Sequence, residues 1–189
     1  LGVMALTLLA GLAMTTYLSR LEAVERVEVQ DYDNRIRQAV QWRGVTDVAI
    51  SHVVLGAMSS EEALSTYAQG KTQEGIAAAT ALQQTMEREL TSPQGRQQLE
   101  KIAQARAQVL EATAAIGKMR AAGDMAQARS FLEAQLLPAV SVYNQAQTDL
   151  VSLQERMRDQ SLAEGQQARD MAMWLGGGAV ALVVVMGLL

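Results

Sequence analysis

Two arginines stand in the sequence at positions where apolar side chains are expected. Arg43 interrupts one helical run of apolar residues and Arg106 interrupts another, each in a pattern of alternating spacings of three and four. Because such positions face the interior of a helical bundle, both guanidinium groups are predicted to lie in or near the core. A guanidinium group binds a carboxylate through two parallel hydrogen bonds. The pattern therefore favours a site for a small organic acid, with a di- or tricarboxylate as the hypothesis.

The two arginines are predicted to lie at one level of the bundle, roughly 20 Å from its tip. Like charges in a partly buried layer repel each other, and a bound carboxylate would supply the counter-charge. The alternative is that both side chains extend outward along their aliphatic stems, or that they pair with acids such as Asp47 or Glu74. Together with polar residues of the same seams and level, the candidate ligand-binding set is Arg43, Arg106, Thr46, Tyr67, Thr72, Thr113 and Tyr143.

The composition excludes several classes of function. The chain has no cysteine and a single histidine, His52, so neither a thiolate nor a histidine metal site is expected, and no cofactor is predicted. The net charge of −4 argues against a nucleic-acid partner. No phosphate-binding loop, nucleophile elbow or metal-ligand cluster is present, so the chain is not predicted to be an enzyme.

The elements that would position these residues are four long helices. Helix-forming residues are abundant and aromatic residues make up only 4% of the chain, which predicts an all-α fold. The first helix is expected to end near Gly56, and Ser59 with Glu62 resembles a capping box for the second. Ser92-Pro93 predicts the start of the third helix, and the turn at Gly123 precedes a fourth that Pro138 should bend. Short connections then predict an antiparallel up-down four-helix bundle.

Two uncharged segments frame this bundle. Residues 1–18 and 171–189 carry no charged side chain, and each has about the length that crosses the hydrocarbon core of a membrane. We interpret them as transmembrane helices and 19–170 as a periplasmic sensor domain, which predicts a two-span protein of the bacterial inner membrane. A signal peptide is the alternative for the first segment. Because the chain does not begin with Met and stops within an apolar run, it is expected to be a fragment.

The order span, long helix, two inner helices, long helix, span resembles the methyl-accepting chemotaxis receptors with a four-helix-bundle ligand-binding domain. The segment Leu136 to Met157 is similar to the fourth helix of that family, and Val40 to Arg43 is similar to the stretch that carries the first ligand-binding arginine of its aspartate-sensing members. A gap-free comparison places their other ligand residues at Val48, His52 and Ala139. Only Arg43 is thus retained, so aspartate is not the implied ligand.

The resemblance implies a sensory module that binds a small molecule and shifts its fourth helix. It also implies a homodimer formed through the first and fourth helices, a membrane location, and a cytoplasmic kinase and adaptor reached through a segment outside this sequence. The same bundle would serve a two-span histidine kinase or cyclase. A structural bundle without a small ligand is a further alternative, as is a receptor on which a binding protein docks.

Overall fold

The chain is all-α in a computed structural model that describes the backbone of residues 2–188 and the side chains of 11–178, 181 and 185. Helix α1 spans Gly2–Met58, α2 spans Glu62–Glu89 and α3 spans Pro93–Ala121. After a short α4, Met125–Phe131, a π-helical turn at Leu132–Leu136 leads into α5, Leu137–Leu188. No strand is present among these residues, so the predicted all-α class is confirmed.

The prediction of a two-span inner-membrane protein is wrong on this structure. Among the residues that it describes, no helix combines the length and the apolar character needed to cross a membrane. Of the segments predicted as spans, residues 2–18 belong to α1 and residues 171–188 belong to α5. Part of that prediction falls on side chains outside the described ones, namely those of 1–10, 179–180, 182–184 and 186–189.

The helices fold into two compact units. Unit 2 comprises residues 35–154, and unit 1 comprises residues 1–34 together with 155–189. In the described part of unit 1, two ion pairs connect α1 to α5: Asp33 with Arg158 at 3.3 Å, and Glu25 with Arg169. The charged residues of unit 1 thus hold its two helix segments side by side.

Unit 2 is a helical bundle whose neighbouring helices run antiparallel. Contacts between α1 and α5 join Arg43 to Thr148 and Asp47 to Asn144. The residue number rises along α1 as it falls along α5, so the two helices are antiparallel. The same relation holds between α2 and α3 and between α1 and α2. These contacts are Arg106 to Gln83, Arg120 to Ser65, Gln38 to Glu89 and Ala49 to Gly75.

The core of unit 2 agrees with the predicted apolar spacing on α3 but only in part on α1. On α3 the apolar residues of the predicted seam, Leu99, Ile102, Val109 and Ile116, are buried, whereas its polar residues, including Arg106 and Thr113, are partly buried. On α1, however, the buried face passes through Trp42 and Ala49 rather than through Arg43 and Ile50. The apolar residues that form this core include Ala39, Trp42, Val53, Ala57, Met86, Leu99, Ile102, Val109, Ile116, Leu132, Leu136 and Leu150.

The helix ends follow from local chemistry. Ser92 caps α3 by accepting a hydrogen bond from the Gly95 N–H, and Pro93 occupies the first turn, both as predicted. The capping box is wrong: α2 begins at Glu62, and the Ser59 hydroxyl accepts a hydrogen bond from the Glu61 N–H instead.

The turn before Pro138 is widened. The Leu137 N–H bonds the carbonyl of Leu132, five residues earlier, which defines a π-helical turn. A proline in a regular helix lacks an N–H and its ring clashes with the carbonyl four residues back. The wider turn relieves that conflict immediately before Pro138, where the sequence predicted a bend.

Gly75 tests the contact between α1 and α2. A Cβ atom on Gly75 would lie 2.6 Å from the Cβ of Ala49, whereas a Cβ on Gly70 of the same helix meets nothing within 4 Å. We expect Gly75→Ala to lower the free energy of unfolding by about 1–3 kcal/mol through overpacking. Gly70→Ala should raise it by about 0.5–1 kcal/mol through helix propensity. Urea unfolding of the two variants measures this, and equal effects would contradict the close contact.

Candidate functional site

A cluster of polar side chains lies inside unit 2 between α1 and α5. Trp42 and Thr46 come from successive turns of α1, and Tyr143 and Gln147 from successive turns of α5. All four are almost fully buried, with exposed fractions of 0% for Trp42, 3% for Thr46, 2% for Tyr143 and 1% for Gln147. This set is called the polar cluster below.

The polar cluster uses only part of its hydrogen-bonding capacity. The Gln147 Nε2 donates to Thr46 Oγ1 at 3.2 Å. The Trp42 Nε1, the Tyr143 hydroxyl and the Gln147 Oε1 are buried and have no hydrogen-bond partner among the described residues. The Tyr143 hydroxyl lies beside Thr46 and Trp42, but neither contact has hydrogen-bonding geometry. Such atoms cost free energy when they stay unpaired, so a polar partner that reached them would stabilise the folded state.

The electrostatic environment of Tyr143 favours its neutral form. Burial raises the pKa of the Tyr143 hydroxyl, and the neighbouring Thr46 and the positive charge of Arg106 oppose that rise. The hydroxyl therefore remains a hydrogen-bond donor at neutral pH. Arg106 is therefore the charged residue that favours a negative charge at Tyr143, although burial has the larger effect on this pKa.

Arg106 is bound to α2. Its guanidinium donates to Gln83 Oε1 at 2.5 Å, to Thr80 Oγ1 at 2.6 Å and to the carbonyl of Ile76 at 3.3 Å. These acceptors are all neutral. The guanidinium group therefore connects α3 to α2, and its acceptors do not neutralise its positive charge. Arg106 thus has partners within the protein, as in the alternative of internal pairing, and is not free to bind a carboxylate directly.

Arg43 is directed outward. Its side chain is 46% exposed, donates to Thr148 Oγ1 at 3.1 Å, and lies 3.9 Å from the carboxylate of Asp47. This outward position with an acidic neighbour corresponds to the alternative considered for the sequence. Arg43 and Arg106 consequently have separate sets of partners. Arg43 contacts Thr148 of α5 and Asp47 of α1, whereas Arg106 contacts α2.

The other candidate residues divide between the cluster and local roles. Thr46 and Tyr143 belong to the polar cluster. Thr72 and Thr113 donate to carbonyls of their own helices, those of Ala68 and Val109. Tyr67 was expected to face inward, which is wrong: it is 56% exposed, and its ring meets the edge of His52 with centroids 6.3 Å apart.

Sequence reasoning missed Trp42 and Gln147 as site residues. Trp42 directly precedes Arg43 in the sequence, and Gln147 directly follows the buried Ala146. The sequence of α1 does contain a pattern that would have identified Trp42. A second set of positions at spacings of three and four has Trp42 and Ala49 in place of Arg43 and Ile50. That choice buries the larger apolar surface and leaves the charge in solvent.

Unit 1 contains an open groove of about 450 Å³. Glu25 and Arg169, which form an ion pair, lie along it. Two neighbouring charged residues of α1 also line it, and the pairing of opposite charges leaves no strong preference for either sign of ligand. Its lining residues are Glu22, Glu25, Arg26, Val29, Leu162 and Arg169.

The chain matches no protein-family model, and no curated protein is detectably similar to it in sequence. The polar cluster therefore has to be interpreted from its own chemistry. Within the part of the chain that the structure describes, no group of three or more His, Cys, Asp and Glu side chains is arranged to hold a metal ion.

The raised pKa of Tyr143 predicts a pH effect on stability. In the unfolded chain this hydroxyl loses its proton near its ordinary pKa of 10.0, whereas in the folded chain burial delays that loss. Deprotonation then favours the unfolded state, so stability should fall as the pH rises above about 10. Tyr143→Phe should reduce that fall, and chemical unfolding at pH 7 and pH 10.5 measures it. Tyr67→Phe, at an exposed tyrosine, is the matched control; equal effects of both variants would contradict the assignment.

Proposed function

We propose that the chain is a sensory helical bundle that binds a small organic acid at the polar cluster of unit 2. The observation that carries the proposal is the pair of buried donors, Trp42 Nε1 and the Tyr143 hydroxyl, for which the described residues supply no hydrogen-bond partner. They come from different helices, so one ligand oxygen or one carboxylate that accepts from both would join α1 to α5. A four-helix sensor of this type is also what the resemblance to chemotaxis receptors implies.

An acid is favoured over a neutral or cationic ligand by the charge around the site. Both unpartnered donors present hydrogen to the ligand, and Arg106 adds a positive potential without a carboxylate among its three acceptors. Hydrogen bonds to a charged group contribute about 1.5–3 kcal/mol, more than those between neutral groups. The unpartnered Gln147 Oε1 is the one acceptor of the set and is suited to a hydroxyl or a protonated oxygen elsewhere on the ligand.

The output of such a sensor is a change in α5. This helix supplies Tyr143 and Gln147 to the polar cluster and extends as one element from Leu137 to Leu188. A ligand shifts the helix only if it binds one arrangement of α1 and α5 more tightly than another, and the two donors on opposite helices provide that difference. By its resemblance, the chain would pass this change to a signalling partner such as a kinase with its adaptor, controlling chemotaxis.

Fluorescence of Trp42 gives a direct test. In a Trp174→Phe background Trp42 is the remaining tryptophan of the two, so its emission reports on the polar cluster. We expect titration with a panel of di- and tricarboxylates to change this emission saturably for at least one acid. In the same background, Tyr143→Phe should weaken the affinity by about 10–100-fold through loss of a charge-assisted hydrogen bond.

The matched control is Tyr67→Phe, which removes a hydroxyl from an exposed tyrosine and should leave the affinity unchanged. Without ligand, Tyr143→Phe should be neutral or slightly stabilising, since it removes a buried hydroxyl that has no partner. If no acid changes the Trp42 emission or the melting temperature, the sensor proposal fails and a structural bundle without a small ligand is the better description.

A second part of the proposal is a homodimer formed through α1 and α5. Val40 and Val48 lie on one side of α1 and are 54% and 57% exposed, and between them a Cβ on Gly44 would meet nothing within 4 Å. A second helix can approach closely over a glycine between two valines. On α5 the exposed Val142, at 57%, offers further apolar surface.

Charge introduction tests this interface. We expect Val48→Arg to raise the dimer dissociation constant by at least about tenfold, because a charge without a partner would be buried between the subunits. Ala81→Arg, at an exposed position of α2, should leave the constant unchanged. Sedimentation velocity over a concentration series measures both, and a wild-type chain that stays monomeric throughout would rule out the dimer.

A further inference from the structure

Gln154 is a fully buried amide with no partner. Its side chain is 0% exposed, and both Oε1 and Nε2 lack a hydrogen bond to any protein atom that the structure describes. It follows Gln147 by two helical turns on α5, and Leu150 lies between them on the same buried face. Gln154 is therefore separate from the polar cluster, about 10 Å further along the helix.

An amide in this position requires a partner. Unlike a carboxylate or an amine, it cannot become neutral by changing its protonation state, so burial leaves its full desolvation cost. Buried side-chain amides are almost always hydrogen-bonded, either to protein or to ordered water. Since the residues that the structure describes supply neither a donor nor an acceptor to Gln154, water is the remaining partner that is always available.

A second orphaned atom lies at the same level of α1. Thr46 faces Gln147, and two turns, or seven residues, back along α1 and forward along the antiparallel α5 reach Ala39 and Gln154. Gln38 is adjacent to Ala39 and therefore lies at the level of Gln154. The Nε2 of Gln38 donates to Glu89 Oε1 at 3.2 Å, whereas its Oε1 is buried without a partner. The two glutamines together thus present one unused donor nitrogen and two unused acceptor oxygens.

We propose that an ordered water molecule is bound between Gln154 and Gln38. It accepts a hydrogen bond from the Gln154 Nε2 and donates one proton to the Gln154 Oε1 and the other to the Gln38 Oε1. These three hydrogen bonds are the usual number for a buried water and use all three unpartnered atoms. The water joins α1 to α5 independently of any organic acid, so the site does not rest on the proposed function.

The test is a double-mutant cycle on the full chain. Gln154→Met and Gln38→Met should each lower the melting temperature by about 2–6 °C, because each leaves the other glutamine without its bridging water. The double variant should lose less than the sum of the two, since it leaves no orphaned atom from the pair. Gln145→Met, at an exposed position of α5, is the matched control and should change the melting temperature by less than either single variant.

Two results would overturn the water site. One is a rise in melting temperature for Gln154→Met, which is expected if the amide is simply unpaired; the other is strict additivity of the two substitutions. If a variant does not fold, diffraction from crystals of the wild-type chain decides: density for a water within hydrogen-bonding distance of both glutamines supports the site, and a dry contact refutes it. Neither result depends on whether an acid binds at the polar cluster.

Discussion

The burial of Trp42 is the constraint from which the arrangement of unit 2 follows. It is the largest fully buried side chain of the unit, and the other residues on its face of α1 are mostly small, including Ala39, Ala49 and Ala57. Because adjacent residues of a helix point about 100° apart, placing Trp42 in the interior directs Arg43 toward solvent. The small residues in turn let α2 approach until Gly75 touches Ala49.

The same constraint creates the buried polar atoms between α1 and α5. An indole brings one N–H into the core with its large apolar surface, and the facing residue Tyr143 brings a hydroxyl. Folding tolerates a few such atoms because the burial of apolar surface outweighs them, but each removes a noticeable part of a net stability of about 5–15 kcal/mol. The cost of these polar groups is the basis of both proposals, an organic acid at the polar cluster and a water molecule beside Gln154.

The sequence was sufficient for the fold class because helix formers, alternating spacing and short connections all agree. The cap at Ser92 and the break at Gly123, whose φ is +82°, were equally readable from local chemistry. The buried side of α1 could not be predicted from the sequence, because Arg43 and Trp42 are neighbours and both fit an alternation of three and four. The prediction that Tyr67 faces inward was wrong for a similar reason. The apolar pattern of α2 is weak, and its buried face passes through the small residues Ala68, Thr72 and Ala79.

The spacing of residues along a helix also does not predict which groups a long side chain contacts. The sequence placed Arg106 correctly on the seam of α3, but only the packing reveals that it reaches across to Gln83 and Thr80. Neutral acceptors satisfy the hydrogen bonds of a guanidinium without cancelling its charge, so the field of Arg106 extends to Tyr143. Arg43, by contrast, is half-exposed beside Asp47, where water and the neighbouring carboxylate screen its charge. Of the two arginines that suggested an acid, Arg106 is therefore the one whose charge still supports that preference, and it does so through its field rather than through direct contact.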